Sequence, residues 1–188
     1  MLRELPRENK DVICTTEDRT NRFQVKMDIT VEDHIRAKSA KLVSLVRELE
    51  VESGKDEAHE IVSNWAEKNA IQDVKSVVDS LEKPLESFED VKVLLRHWVE
   101  ALNKDNIETV EITEETSTKS VCIVTECVYG KVYNDLDAPD IGYLLHCKHD
   151  FAAAPAIHPN VRVRRTKTVM ENHDCCDFEY YWVAEANE

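Results

Sequence analysis

A chain of 188 residues, with only 3 Gly and 5 Pro and no linker-like run, has the length for one hydrophobic core and little that would divide it into two. Acidic residues outnumber Lys plus Arg by 38 to 24, and the resulting net charge of -14 repels phosphate backbones and anionic lipid, so neither nucleic acid nor a membrane is expected as a partner. No apolar run approaches the roughly 18 residues of a membrane span, and Met1 to Asp11 lacks the apolar region of a secretion signal, which makes a cytoplasmic location the expectation.

Residues 1–28 are expected to be poorly ordered or extended. Helical spacing then runs through residues 30–103 and predicts four helices. In the first, Val31, Ile35, Leu42, Leu45, Val46 and Leu49 share a face, with Thr30 and Asp33 as a capping pair and Gly54 as the stop. Ala58, Ile61, Val62, Trp65 and Ala66 form a second stripe, and Val74, Val77, Val78 and Leu81 a short third that ends before Pro84. The fourth carries Phe88, Val91, Leu94, Leu95, Trp98, Val99 and Leu102 behind a Ser87 cap.

Residues 107–184 change to the alternating period of strands, beginning at Val110 and Ile112. Val121, Ile123, Thr125 and Cys127 share a largely apolar face, which is expected to turn Cys127 inward at the end of a strand. Asp137-Ala-Pro139 suits the first turn of a short helix from Ile141 to His149. Asn160 to Met170 and Cys175 to Ala184 then read as an antiparallel hairpin joined at Glu171 to Asp174. The expected architecture is α+β: one domain over residues 1–188, with an N-terminal helical layer packed on a mostly antiparallel C-terminal sheet.

The 6 cysteines, without a secretion signal, are expected to be reduced thiols. Cys147 and Asp150 are three residues apart near the end of the short helix, a spacing that brings side chains together. On the last strand Cys176, Phe178, Tyr180 and Trp182 share one face and Cys175, Asp177, Glu179 and Tyr181 the other. A sheet covering the short helix gathers Cys127, Cys147 and Cys176 around one pocket, with Asp150, Asp177, His146 and His149 as its acids and bases. For each cysteine alone, packing as a small hydrophobe is the competing reading. Zinc accepts these ligand types, but no pair has Cys-x-x-Cys spacing and the adjacent Cys175 and Cys176 cannot both face inward from a regular strand; no cofactor is expected, with a metal ion as the minority alternative. Arg162, Arg164, Arg165 and Lys167 form the dense basic patch, suited to a carboxylate ligand or to cross-strand pairing with Glu179 or Asp177.

Three segments in order, Cys127-Val-Tyr129, then Ile141-Gly-Tyr-Leu-Leu-His-Cys147-Lys-His-Asp150, then Arg164-Arg-Thr-Lys-Thr-Val-Met-Glu-Asn-His-Asp-Cys-Cys176-Asp-Phe178, resemble the L-2-amino-thiazoline-4-carboxylic acid hydrolase family over about the last 70 residues. The positions that match are Cys127, Cys147, Asp150, Cys176 and Asp177. Asn172 stands where a glycine is usual in the family's turn, and asparagine tolerates the left-handed backbone required there. The resemblance implies hydrolytic opening of a cyclic C–N bond in a small carboxylated substrate. Cys147, Asp150, Cys176 and Asp177 would be catalytic, and Cys127, Tyr129, His146, His149, Arg162 and Arg164 would bind substrate. Asp150 would orient or deprotonate the attacking water or assist Cys147 as nucleophile.

The same strand-turn-Cys pattern is similar to 4-vinyl-reductase-like domains, which implies the ligand-binding fold of nitric-oxide signalling and Golgi transport proteins, and a non-enzymatic small-molecule-binding or sensor domain as the alternative function. The zinc site of some such sensors, Glu-x-x-Cys followed by Cys eight positions on, is missing here, since Arg165 and Thr168 precede Cys176 at those places. A homodimer is compatible with this fold.

Overall fold

Three helices open the described part of the chain, and their ends follow from local chemistry. Helix α1 (Val31–Ser53) starts at a capping box in which the Thr30 hydroxyl accepts from the Asp33 N–H and the Asp33 carboxylate accepts from the Thr30 N–H. It stops at Gly54, whose φ of 87° lies in the region glycine enters without strain. Gly54 is also the N-cap of α2 (Lys55–Asp79), so one residue turns the chain between the two helices. The expected second and third helices are a single α2, because no glycine or proline lies between Ala66 and Val74 to interrupt it. A second capping box, Ser87 with Asp90, starts α3 (Phe88–Lys104).

The structure, a computed structural model, describes residues 29–183. The expectations for residues 1–28, Cys14 among them, and for Ala184 lie outside the described residues. Among the described residues, no helix is long and apolar enough to cross a membrane.

Strands β1 (Glu108–Glu115) and β2 (Lys119–Cys127) follow, then a helical excursion of α4 (Val128–Asp135), α5 (Pro139–Gly142), a π-turn over Tyr143–Cys147 and α6 (Asp150–Ile157). The chain returns through β3 (Val161–Arg164), a 3-10 turn at Val169–Glu171, and β4 (Cys176–Trp182). The sheet is four-stranded in the order β1-β2-β4-β3, every neighbouring pair antiparallel. The fold class is therefore α+β, helices first and then an antiparallel sheet.

Three local expectations are corrected. The segment expected as one helix from Ile141 to His149 is split, and Lys148 N–H donates to the Tyr143 carbonyl in the wide spacing of a π-turn. The expected hairpin partners, β3 and β4, do pair, but through the longer connection carrying the 3-10 turn, with Asn172 left-handed at φ 64°. On β2 the buried residues are Ser120, Cys122 and Val124, while Val121 and Ile123 are half-buried and Thr125 is exposed. Both faces of β2 carry apolar residues, so alternation alone did not mark which one faces the helices.

A bulge explains how Cys127 nevertheless turns inward. Thr109 faces Glu126 and Val110 faces Val124, which leaves Thr125 as an extra residue. Residues three apart in a regular strand point to opposite faces; the extra residue brings Val124 and Cys127 to the same one.

Two core clusters form on the helix-covered face. In one, Phe88, Val91, Leu94 and Leu95 of α3 pack with Ala154 and Ile157 of α6 and Val161 and Val163 of β3. Burial of each large side chain there stabilises the fold by about 1.5–3 kcal/mol. In the other, Val46 of α1 and Val62 of α2 pack against Tyr133, Ile141, Leu145 and Met170. The site lies where these clusters meet.

Candidate functional site

An inner cavity of about 330 Å³ is walled by α3 (Leu95, Trp98, Leu102), by the covered face of the sheet (Glu108, Cys122, Cys127, Cys176, Phe178, Tyr180), and by the irregular segments (Tyr129, His146, Cys147, His149, Asp150, Arg165). A second cavity of about 440 Å³ adjoins it between α2, where it is lined by Trp65, Asn69 and Asp73, and α6. Trp98, His146, His149, Asp150 and Tyr180 border both, so they form the partition between an outer and an inner chamber.

Arg165 continues the inward alternation of Val161 and Val163 one step past β3. Its side chain is 2% exposed and donates to Asp150 Oδ2 at 2.5 Å and to the Cys147 carbonyl at 2.9 Å. Its guanidinium also lies over the rings of Phe178 (5.0 Å) and Phe151 (5.1 Å). Asp150 opens α6, and burial raises its carboxyl above the ordinary range against the opposing pull of His149 and Arg165. Arg165 is charged at every working pH, so Asp150 is an anchored carboxyl.

His149 stands beside this pair, with Nδ1 3.7 Å from Asp150 Oδ1. That nitrogen is buried and has no hydrogen-bond partner among the described residues. His146 stacks on Tyr129 at 4.2 Å and shares a 3.3 Å hydrogen bond with the Tyr133 hydroxyl; burial, with a contribution from His149, lowers it to about 4. It is a neutral wall of the cavity at neutral pH.

The thiols are protonated as well. Burial raises Cys122 to about 11 and Cys127 to about 12, and pushes Cys147 and Cys176 upward in the same direction. The Cys127 sulfur accepts from the Gly130 N–H at 3.4 Å, capping α4, and the Cys176 sulfur accepts from the Val169 N–H at 3.2 Å. Across the sheet Glu108 pairs in register with Cys127 and accepts its thiol hydrogen at 3.6 Å. Burial raises the Glu108 carboxyl too.

A family model described as L-2-amino-thiazoline-4-carboxylic acid hydrolase matches residues 33–180. The chain belongs to this family. The match takes in the helical layer as well as the motif-bearing last third. Among solved structures the chain is similar to the phenol-responsive sensory domain of the transcription activator PoxR, crystallised with phenol, at 13% identity and a TM-score of 0.50 over 76% of this chain and 73% of that one. That likeness is one of fold. No curated protein matches the sequence.

In this member of the hydrolase family, Cys127, Tyr129, His146, Cys147, His149, Asp150 and Cys176 all border the inner cavity. Asp177, Arg162 and Arg164 do not, and their expected site roles are corrected by strand parity. Asp177 accepts from the Thr166 and Lys167 N–H groups, both at 2.8 Å, and from the Thr166 hydroxyl, which fixes the loop after β3. Arg162 donates to the Pro159 and Val161 carbonyls, and Arg164 donates to Glu179 at 3.4 Å while covering the Tyr181 ring at 4.4 Å.

Of the cavity's charged residues, Glu108 is absent from the sequence reading, and Arg165 figures there as one of the basic patch without its inward direction. Extending the Val110–Ile112 alternation back by two, and Val161–Val163 forward by two, would have placed them. Among the described residues the cluster with metal-ligand spacing is Glu50, His59 and Asp140, outside the cavity; Arg47 already bridges Glu50 and Asp140, and Lys55 pairs with Asp140.

Proposed function

We propose that this protein hydrolyses a non-peptide C–N bond in a small carboxylated heterocycle or amide held in the inner cavity. The observation that carries the reading is the buried, unpartnered Nδ1 of His149 beside Asp150, in the wall common to both chambers. A buried ring nitrogen without a partner is costly unless water or substrate completes it.

In this reading water reaches the inner chamber from the outer one and gives a proton to His149. Its oxygen bonds to the electron-poor carbon of the substrate, the C–N bond breaks, and the proton is returned to the departing nitrogen. Asp150, anchored by Arg165, orients His149 and the water. The remaining N–H groups of Arg165 suit the substrate carboxylate. In this reading Cys147 lines the cavity without acting as nucleophile, because burial pushes its thiol upward, away from the reactive thiolate. The five described cysteines are all free, which suits a reducing, cytoplasmic setting.

Incubation of the full chain with L-2-amino-thiazoline-4-carboxylate, followed by mass spectrometry of the products, tests the proposal. His149→Ala is expected to lower turnover by about 10²–10⁴, and Cys147→Ala to leave it within a few fold. Turnover unaffected by His149→Ala refutes the base. Saturable binding with no product by the wild type replaces the hydrolase with the binding-domain reading.

A further inference from the structure

The carboxyl of Glu108 lies at the β1 side of the cavity with one polar contact among the described residues, the weak donor Cys127. On the inner-cavity side the titratable groups that face it are Cys127, Tyr129, Cys176, Tyr180 and Asp150, and none of them is a cation; Lys131, which borders a groove on its other side, is paired with Glu32. Arg165, the cation of this cavity, enters from the β3 side, where it donates to Asp150 and the Cys147 carbonyl. In the strand order β1-β2-β4-β3, those two edges are three strand spacings apart, roughly 14 Å.

A half-buried carboxyl facing an aromatic-lined space without a counter-charge is unfavourable in the free protein and is relieved by a ligand that brings one. A planar N–C–N edge bearing a positive charge presents two N–H donors in the fork that a carboxylate accepts. The walls around it, Trp98, Tyr129, Phe178 and Tyr180, offer ring faces, which attract cations. At about 330 Å³ the cavity is at the small end of ligand sites.

We propose that Glu108 is a ligand-binding residue that anchors the cationic amidine-like edge of a small flat ligand, and that Arg165, at the opposite side, makes the cavity fit a zwitterion. This rests on the reading that the inner cavity is the ligand site, and it adds to that reading the residue that selects the cationic edge of the ligand. Burial raises the Glu108 carboxyl in the free protein, as expected of an acid awaiting a cation.

The test is calorimetric titration of the full chain with 2-amino-2-thiazoline, a cyclic amidine-type cation without a carboxylate, and with 2-methyl-2-thiazoline, the same ring uncharged at pH 7.5. The wild type is expected to prefer the cation by about tenfold or more, and Glu108→Gln to abolish the preference. The variant's thermal unfolding is recorded to show that it is folded. Equal binding of the two rings, unchanged cation binding by Glu108→Gln, or no cation binding by the wild type overturns the proposal.

The hydrolase reading is tested separately by product formation. Turnover with an unaltered KM in Glu108→Gln removes this anchor and leaves the enzyme. Glu108-dependent cation binding without turnover keeps the anchor and removes the enzyme.

Discussion

Arg165→Met is the substitution whose outcome the structure constrains most tightly. The side chain is 2% exposed, its partner Asp150 is 22% exposed, and the two meet at 2.5 Å. Removing the guanidinium leaves a buried carboxyl without its counter-charge, a change that costs about 3–5 kcal/mol. The total stability of a domain is roughly 5–15 kcal/mol, so the variant is expected to remain folded at room temperature with a clearly reduced urea midpoint. Asp150→Leu combined with Arg165→Met removes both charges and is expected to recover most of the loss, because an apolar pair avoids the desolvation that the ion pair must offset.

The pH dependence has a definite sign. Without Arg165 the Asp150 carboxyl is raised further in the folded state, so the native protein holds its proton to higher pH than the unfolded chain does. The deficit relative to wild type therefore shrinks as the pH falls toward the unfolded aspartate value near 4 and grows as the pH rises through the folded value. Urea titrations followed by the fluorescence of Trp65, Trp98 and Trp182, at pH 7.5 and pH 5, measure both effects. A loss below about 1 kcal/mol at pH 7.5, a deficit independent of pH, or a double variant no more stable than Arg165→Met would show that the pair is not the buried, coupled unit described here.

Gly142→Ala places a methyl 2.6 Å from the Met170 sulfur and from the Tyr133 ring, and is expected to destabilise by about 1–3 kcal/mol or more in thermal unfolding; an unchanged midpoint would mean that the α5 packing yields freely. The His146 value is depressed from 6.5 to about 4, so the stability tied to its neutral form is complete above pH 6.5 and about 3 kcal/mol is lost as the pH falls to 4. His146→Gln should flatten that acid limb in a series of urea midpoints, and an unaltered limb would assign acid lability elsewhere. With its value moved from 9.0 to about 12, Cys127 should react with iodoacetamide about a thousandfold more slowly than a free thiol at pH 8, read by peptide mass spectrometry; rapid labelling would contradict its burial.

The helical layer was legible wherever a cap or breaker chemistry was local. Thr30 with Asp33, Gly54 and Ser87 were all identified as boundaries, and each is one. The exception is α2, whose apolar stripe fades part-way and so resembles two helices, although no breaker stands there and the helix runs unbroken. On β4 one face was plainly apolar and aromatic, so the inward set Cys176, Phe178 and Tyr180 was recoverable. On β2 it was not, because Val121 and Ile123 compete with Cys122 and Val124 for the inward face and only tertiary packing decides. The family motifs located the cysteines and the Asp150 segment, but a motif records adjacency in sequence and says nothing of parity. Asp177 enters the expected site through the motif although its parity turns it away from Cys176, and Arg162 and Arg164 enter it through the basic patch, whose charge density says nothing of direction.

Much of the cavity chemistry sits where regular geometry is interrupted: the π-turn before Asp150, the first residue past β3, and the bulge at Thr125. The last of these carries a sharp consequence. Deleting a residue from a central strand ordinarily inverts every side chain beyond it. Thr125, however, is the extra residue between the Val110–Val124 and Thr109–Glu126 pairs, and β4 pairs with β2 only from Lys119 to Val124. Its deletion leaves Glu108 opposite Cys127 and straightens the strand, so the variant is expected to fold with a loss of no more than about 1–2 kcal/mol and to keep Cys127 slow to alkylate. Deletion of Ile123, two residues earlier, moves Cys122 or Val124 off the covered face and breaks pairing on both sides of β2; that variant is expected to be unfolded by circular dichroism. Equal damage from the two deletions would mean that the bulge does not set the direction of Cys127, and the pairing of Glu108 with its thiol would then need another cause.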